Sequence, residues 1–320
     1  MQTLNDKLIS VVLPVFNEEA GIDQTLAALK TYVAARPEHY ELIFVDDGST
    51  DRTAELIRQG MQSDPALKLI RFSRNFGHQL AISAGIRYAS GDAVVVMDGD
   101  LQDPPNVIPL MLEKWQQGYA VVYGKRRARE GETWFKKTTA SLFYRTLRMI
   151  TTIEIPVDTG DFRLMDRQVV NVLKKMNETD PFVRGMVSWV GFKQTAILYD
   201  RQERLAGQSK YPLRKMLNLA MNGITSFSKV PLVIGTWLSG LFFLMFLVTL
   251  IVSLASQNGT AGIISALFFC SSFILLAIGL IGSYVGRIFD SSRGRPLYIV
   301  SETAGFAQSQ IKYSSMSAVQ

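Results

Sequence analysis

Residues 93–102 read Ala-Val-Val-Val-Met-Asp-Gly-Asp-Leu-Gln, an uninterrupted apolar run that ends in two acidic residues. Such a run is typical of a buried strand and predicts β-structure over 93–97. Asp98 and Asp100 then lie on the turn that leaves the strand. Two carboxylates at this spacing can share one divalent cation, and oxygen ligands suit Mg²⁺ or Mn²⁺. A lone Asp-x-Asp pair is also typical of a solvated turn, so the interpretation depends on the surrounding sequence.

On both sides of residues 93–102, apolar stretches that predict strands alternate with amphipathic stretches that predict helices. A predicted strand over 41–45 is followed by Asp46 and Asp47, just as the predicted strand over 93–97 is followed by Asp98. Continuous apolar strands that alternate with helices predict a parallel sheet covered on both faces, and ligands bind beyond the carboxyl ends of its strands. The other predicted strands are 9–15, 67–72 and 120–123, and the predicted helices are 20–35, 51–61 (capped by Thr50 or Asp51), 78–89 and 107–117.

The last third of the chain carries two long runs without a charged residue, 230–255 and 260–286. A helix of about 26 residues is ~39 Å long, whereas the hydrocarbon core of a bilayer is ~30 Å thick. We therefore expect two membrane-spanning helices, the alternative being two buried core helices. Basic amphipathic stretches at 134–150 and 211–229 predict helices at the membrane interface, although the first also fits a core-facing helix.

Charge and cysteine content suggest where the large domain lies. The 320 residues include 34 Lys and Arg against 28 Asp and Glu, a net charge of +6. A positive balance attracts either nucleic acid or anionic lipid and phosphorylated substrates; the apolar runs favour the second, so we expect no nucleic-acid partner. The single cysteine, Cys270, lies in the second apolar run, which excludes an intrachain disulfide framework.

The flanks of the apolar runs predict the membrane topology. Lys229 precedes the first run, Arg287, Arg293 and Arg295 follow the second, and the connecting residues 256–259 carry no charge. Positive residues stay on the cytosolic side, so we expect both termini and the large domain in the cytosol. Residues 1–8 are polar, and no run of signal-peptide type follows them. The expected location is therefore the inner or plasma membrane.

Three motifs stand in order at the predicted strand ends: Pro14-Val15-Phe16-Asn17-Glu18-Glu19, Val45-Asp46-Asp47-Gly48-Ser49-Thr50-Asp51 and Asp98-Gly99-Asp100-Leu101-Gln102-Asp103-Pro104-Pro105. This set resembles the family 2 glycosyltransferases of the GT-A fold, which implies a Rossmann-like α/β catalytic domain. The resemblance implies a nucleotide pocket lined by Pro14, Asn17, Glu18, Asp46, Asp47 and Asp98. It also implies a Mg²⁺ or Mn²⁺ site at Asp98, Asp100 and Gln102.

Two further segments narrow the resemblance. Residues 158–164 (Asp-Thr-Gly-Asp-Phe-Arg-Leu) and 207–211 (Gly-Gln-Ser-Lys-Tyr) are similar to those of the polyprenyl-phosphate glycosyltransferases, and most similar to the bacterial two-helix type that uses undecaprenyl phosphate. The likeness extends over roughly residues 8–300. The sequence lacks the Gln-x-x-Arg-Trp signature of processive polysaccharide synthases; residues 202–204 (Gln-Glu-Arg) are the nearest approach.

Basic residues follow the fifth predicted strand, and both a lipid phosphate and a nucleotide diphosphate need cationic partners. By resemblance, the acceptor phosphate binds Arg126, Lys137 and Ser141, with Arg204 and Lys210 nearby. The same likeness places Asp161, Arg126 and Arg163 at the reacting centre. Asp161 is expected to orient the sugar or to balance the charge of Arg163. With two histidines in the chain, histidine catalysis is not expected, and His78 is interpreted as structural or near the nucleotide.

These observations predict a GT-A domain over 1–210, an interfacial helix over 211–229, a two-helix transmembrane hairpin over 230–286 and a cytosolic tail over 287–320. The expected reaction is an inverting, metal-dependent transfer of one sugar, with glucose from UDP-glucose as the first choice, to undecaprenyl phosphate at the bilayer. The alternatives are a chain-extending polysaccharide synthase and a non-catalytic lipid-carrier scaffold. The sequence leaves open whether the chain forms a homo-oligomer.

Overall fold

The computed structural model describes residues 4–127, 159–176, 178, 181–200, 244, 251 and 259–307. Both amphipathic stretches lie outside these residues, and so does the first apolar run apart from Leu244 and Ile251. The motif at 207–211 and the predicted acceptor residues Lys137, Ser141, Arg204 and Lys210 lie outside them as well.

The described residues form one eight-stranded sheet. The strands are β1 Leu8–Val15, β2 His39–Asp46, β3 Leu67–Phe72, β4 Ala93–Val96, β5 Val121–Arg126, β6 Thr159–Asp166, β7 Gln194–Tyr199 and β8 Val300–Ala304. Their order in the sheet is β7-β5-β6-β4-β1-β2-β3-β8. Five of them, β1 to β5, correspond to the strands predicted from the sequence.

The sheet as a whole is mixed, but the five predicted strands, β1 to β5, all run in one direction, as predicted. Strands β1 to β4 are mutually parallel, as predicted, and β5 is parallel to β7. Strand β6, however, runs antiparallel between β4 and β5, and β8 runs antiparallel along β3. Both antiparallel strands come from residues after 124, outside the stretch for which a parallel sheet was predicted.

Helices cover both faces of the sheet, as the continuous apolar strands require. The helices are α1 Ile22–Ala34, α2 Thr53–Met61, α3 His78–Tyr88, α4 Ile108–Gln116, α5 Arg167–Leu173, α6 Val183–Trp189 and α7 Gly259–Ser292. Helices α1, α2 and α4 pack on the face of the sheet that carries Val11 and Leu13. Helices α3, α5 and α6 pack on the opposite face, which carries Val12 and Ile43.

One local detail differs from the predictions. Helix α2 begins at Thr53 with Arg52 at the N-cap, and the Asp51 carboxylate accepts a hydrogen bond from the Thr53 amide at 3.0 Å.

Helix α3 packs so closely on β1 that a Cβ added to Gly85 would clash with Val12 Cγ1. A glycine is therefore needed where α3, which carries His78, crosses the sheet.

The long helix α7 contains the second apolar run. Within the described residues it is the one helix whose length and composition suit a membrane span, with the most apolar window at Phe269–Gly286. Its apolar side chains point outward: Leu267, Ile278 and Ile288 are 61%, 58% and 67% exposed. After α7 the chain returns to the sheet as β8, a strand that was not predicted for the tail.

Candidate active site

The loops after β1 and β2 are tied together by hydrogen bonds at the carboxyl edge of the sheet. Asn17 has a positive φ of 52°, and its amide donates to Ser49 Oγ at 2.9 Å. Its side-chain Oδ1 accepts from the Thr50 amide at 2.9 Å, and the Glu18 amide donates to Thr53 Oγ1 at 2.9 Å. Three predicted nucleotide residues, Pro14 in β1 and Asn17 and Glu18 after it, therefore lie beside the second motif.

Asp46 and Asp47 end β2 and hold neighbouring loops in place. Asp46 is fully buried; its Oδ1 accepts from the Ser49 amide at 2.9 Å, and its Oδ2 lies 3.2 Å from Arg71 Nε. Asp47 accepts from the amides of Phe76 and Gly77 at 2.7 and 2.9 Å. Burial raises the pKa of the Asp47 carboxyl, and these two amides oppose that rise. Both carboxylates thus shape the edge at which a nucleotide is expected.

The Asp98-Gly99-Asp100 turn packs tightly against β1 and α1. A Cβ on Gly99 would lie 2.7 Å from Val15 Cγ1, so this position has no room for a side chain. Thr25 Oγ1 donates to the Gly99 carbonyl at 2.8 Å, and the Gln102 amide donates to Asp100 Oδ1 at 3.1 Å. The turn is therefore fixed in one place at the centre of the carboxyl edge.

The chemistry of this turn fits a divalent cation. Asp98 Oδ1 is buried and accepts no hydrogen bond from the described residues. Burial, together with the nearby Asp103, Asp161 and Asp100 carboxylates, raises the pKa of Asp98 to about 6 against the opposing effect of His78. In the part of the chain that the structure describes, no three His, Cys, Asp or Glu side chains are placed to hold a metal alone. Donor phosphates and water would have to complete the coordination, as is usual for Mg²⁺.

Strand β6 brings Asp161 to this turn. Val96 of β4 pairs with Arg163 of β6, and these paired residues lie two positions before Asp98 and two positions after Asp161. The His78 imidazole lies between the two carboxylates, with Nε2 3.5 Å from Asp98 Oδ1 and 3.4 Å from Asp161 Oδ2. Burial lowers the pKa of His78, but the hydrogen bond with Asp161 and the two negative charges outweigh it and raise the pKa.

Asp161 is held by a dense set of donors. Arg184 Nε donates to Oδ1 at 2.8 Å and Arg184 Nη2 to Oδ2 at 3.1 Å, while Gln79 Nε2 donates to Oδ2 at 3.1 Å. Burial raises the pKa of the Asp161 carboxyl, but the Arg184 charge and the hydrogen bonds from His78 and Arg184 hold it well below its usual range. Asp161 is therefore an ionised acceptor of hydrogen bonds near neutral pH.

Arg126 reaches the same edge from the end of β5. Its Nη2 would lie 3.2 Å from a Cβ on Gly160, so the glycine before Asp161 makes room for the guanidinium. Its strand neighbour Tyr199 donates to Asp103 Oδ1 at 2.5 Å, which fastens β7 to the loop after the Asp-x-Asp turn. The structure thus brings together Arg126, Asp161 and Asp98, which the sequence analysis had placed in one site.

Arg163, which was predicted to lie at the reacting centre with Asp161 and Arg126, points its guanidinium at the protein backbone instead. It is 4% exposed, and its Nε and Nη2 donate to the carbonyls of Asp161 and Gly160 at 3.3 and 3.1 Å. Burial lowers its pKa to about 10. These contacts favour a role in shaping the start of β6. The Asp161 carboxylate pairs with Arg184 instead, a residue that the sequence analysis did not single out because only the tertiary fold joins α6 to β6.

These residues define a class of site. Acidic and amide side chains at the carboxyl edge of a Rossmann-like sheet, with an acidic turn and an arginine beside it, suit an enzyme that binds a nucleotide and its phosphates. The comparisons with known proteins agree with this class. The model of the family described as glycosyl transferase family 2 matches residues 10–173, and the chain belongs to that family. It is a glycosyltransferase.

Relatives match over nearly the whole chain. The uncharacterized glycosyltransferase YkcC of Bacillus subtilis (strain 168) is 52% identical over 311 residues, which cover 94% of this chain and 96% of the relative. The bactoprenol glucosyl transferase of Shigella phage SfV is 40% identical over 299 residues, covering 91% and 97%. Glucosyl-3-phosphoglycerate synthase from Mycobacterium tuberculosis, solved with Mn²⁺, UDP and glucosyl-3-phosphoglycerate, is 20% identical with a TM-score of 0.47, covering 68% and 77%.

Proposed function

We propose that this glycosyltransferase moves one sugar from a nucleotide sugar to a polyprenyl phosphate at the cytosolic face of a membrane. The observation that carries the proposal is the route of the chain from the apolar helix α7 into the sheet. Strand β8 begins at Val300 opposite Phe72, the last residue of β3, and the Ser73 amide donates to the Ile299 carbonyl at 2.9 Å. The chain therefore enters the sheet at its carboxyl edge, where the active site lies.

The short connection limits how far the site is from the membrane helix. Six residues separate Ser292, the end of α7, from Ile299. Even a fully extended connection of this length spans about 25 Å. If α7 crosses a bilayer, the carboxyl edge faces the lipid surface at short range. A water-soluble acceptor requires no such placement, whereas a lipid-borne phosphate does.

The outward-facing apolar side chains of α7 support a membrane location, because a core helix of a soluble protein would bury them. In our proposal α7 is the second arm of a two-helix hairpin, and residues 230–255 form the first. The catalytic domain spans 1–210, the interfacial helix 211–229 and the C-terminal segment 287–320. Strand β8 of that last segment belongs structurally to the catalytic sheet.

The proposed reaction is a single in-line displacement. A phosphate oxygen of the acceptor attacks the anomeric carbon, the bond from that carbon to the diphosphate oxygen breaks, and nucleoside diphosphate leaves. Phosphate monoesters have a second pKa of ~6, so the acceptor is largely a dianion at neutral pH and needs no general base. Attack opposite the leaving group inverts the anomeric centre.

The residues of this chain would hold the two anionic substrates in line. Arg126 offers a cationic fork to the acceptor phosphate, with Lys137, Ser141, Arg204 and Lys210 as proposed partners. Asp161 accepts hydrogen bonds from the sugar or balances nearby positive charge. When bound, Mg²⁺ or Mn²⁺ would neutralise the leaving diphosphate, held by Asp98 and Asp100 with Gln102 beside them.

Glucose carried by UDP is the proposed donor, and undecaprenyl phosphate is the proposed acceptor. Several relatives with about 40% identity are named bactoprenol glucosyl transferase, which supports both choices. The test is a donor screen with the purified full-length enzyme, undecaprenyl phosphate and radiolabelled nucleotide sugars. Label from UDP-glucose should move into the organic phase as one lipid-linked sugar. Long water-soluble chains would indicate a polysaccharide synthase, and absence of transfer from every donor would indicate a scaffold.

A further inference from the structure

We propose that Arg184 and Gln79 are positioning residues for glycosyl transfer, which act by holding the Asp161 carboxylate in a single orientation. The inference deepens the proposed function and rests on it, because it assigns Asp161 a place beside the reacting sugar. Neither residue belongs to the three strand-end motifs. Arg184 lies in α6 and Gln79 in α3, so both reach Asp161 from helices on one face of the sheet.

The Arg184 guanidinium grips Asp161 with two parallel hydrogen bonds. Nε meets Oδ1 at 2.8 Å and Nη2 meets Oδ2 at 3.1 Å, which is the fork geometry that fixes a carboxylate in both position and plane. The Asp161 side chain is 7% exposed and that of Arg184 is 20% exposed. Little solvent screens the pair, and the carboxylate has little freedom to rotate.

Gln79 connects the Asp161 carboxylate to the first residue of α6. Its Oε1 accepts from the Val183 amide at 3.0 Å, so its Nε2 must be the atom that donates to Asp161 Oδ2 at 3.1 Å. Val183 is the first residue of α6 and directly precedes Arg184. One amide side chain therefore fastens the start of α6 to α3 and, at the same time, orients the carboxylate that Arg184 grips.

The result is a carboxylate whose direction is set by two helices. His78 lies between Asp161 and Asp98, so a rotated Asp161 would present different oxygens to a sugar at this edge. A misplacement of about 1 Å at a reacting centre can cost about a hundredfold in rate. We therefore assign Arg184 and Gln79 an effect on kcat that passes through Asp161.

The competing explanation is that Arg184 only neutralises a buried charge so that the domain folds. Three full-length variants in detergent or nanodiscs separate the two. Arg184→Lys keeps the charge but loses the fork. Gln79→Leu keeps the size but loses both hydrogen bonds. Arg87→Lys is the matched control, because Arg87 is also partly buried and donates to a carbonyl, that of Met176 at 3.1 Å, outside the site.

If Arg184 and Gln79 are positioning residues, Arg184→Lys and Gln79→Leu should lower kcat at least tenfold and change the donor KM less than threefold. The melting temperatures of both variants should stay close to that of Arg87→Lys. The control should keep kcat near the wild-type value. A purely structural role would instead lower the melting temperature and leave kcat per folded molecule unchanged, and that result would overturn the proposal.

A double-mutant cycle tests directly whether Arg184 acts through Asp161. The double variant Asp161→Asn with Arg184→Gln removes both charges of the ion pair, and kcat of every variant is expressed per folded molecule. If Arg184 acts through Asp161, Arg184→Gln should lower kcat much less in the Asp161→Asn background than in the wild type. Additive losses would contradict the proposal. Absence of lipid-linked product from the wild-type enzyme would instead contradict the proposed acceptor, and the same cycle can then be measured on donor hydrolysis.

Discussion

The ring of Tyr298 stacks on the ring of Phe72, with 4.8 Å between centroids and 17° between planes. Tyr298 lies just beyond the apolar helix α7, and Phe72 ends β3. Phe72 in turn meets Phe76 edge-on at 5.6 Å, and the Phe76 amide donates to Asp47. The stack thus connects the segment after the proposed membrane helix with a carboxylate of the predicted nucleotide pocket.

Removal of this ring should weaken both the sheet edge and nucleotide binding. Tyr298→Ala loses an aromatic pair worth about 1 kcal/mol beyond its buried area, so we expect a lower melting temperature. Phe72 loses its stacking partner, and because Phe72 also packs against Phe76 of the 73–77 loop, the Kd for UDP should rise. Tyr298→Phe keeps the ring and is the control. Calorimetry of UDP binding checks the prediction, and equal UDP affinity in Tyr298→Ala and the wild type would contradict it.

Acid stability should depend on Glu41, which lies 3% exposed far from the active site. Its oxygens accept from Lys68 Nζ at 2.6 Å, Ser10 Oγ at 2.5 Å and the Ser90 amide at 2.7 Å. Burial raises the pKa of Glu41, but these partners outweigh burial and lower it. A lowered folded-state pKa gives stability that is present above the unfolded value of ~4.3 and lost as pH falls through the folded value.

Glu41→Gln should therefore destabilise the protein by about 2 kcal/mol at pH 7 and by less at acidic pH. Thermal melts from pH 7 down to about pH 3 give the comparison. The gap between variant and wild type should narrow at the acidic end. A gap that stays constant over this range would show that the Glu41 charge contributes nothing.

The proposed metal site can be tested through nucleotide binding as well as turnover. Without a cation, Asp98 and Asp100 would repel the donor diphosphate in a partly dry site by several kcal/mol, an order of magnitude set by Coulomb's law. We expect Asp100→Ala to abolish turnover and to remove the dependence of UDP affinity on Mn²⁺. Asp64→Asn, which changes an acidic turn residue outside the site, is the control. Full activity in excess EDTA would contradict the assignment.

The sequence was sufficient for features that depend on local pattern. Strands β1 to β5 were predicted because their apolar runs are continuous and each ends at a polar turn. Strand β8 was missed because Val300–Ala304 is short, mostly polar and half-buried. The pairing of Asp161 with Arg184 was also missed, since it depends on an antiparallel register and on a helix that follows later. The expected partner, Arg163, bonds to backbone carbonyls instead.

The predicted topology places the connection between the two apolar runs outside the cytosol. Replacement of Cys270 by serine, together with Asn258→Cys, gives a single thiol in that connection. An impermeant maleimide added to intact cells should label it, because the positive flanks of both runs stay inside. The same background with Ser63→Cys, at an exposed residue of the turn after α2, is the negative control. Protection of the thiol at position 258 until the cells are lysed would contradict a two-span hairpin.

The anomeric configuration of the lipid product tests the central claim most directly. The purified full-length enzyme is incubated with UDP-glucose, in which the glucose is α-linked, and undecaprenyl phosphate, and the anomeric proton of the extracted product is measured by NMR. In-line attack by the acceptor phosphate predicts one β-linked glucosyl phosphate per lipid. An α-linked product, or a lipid that carries more than one sugar, would contradict the account.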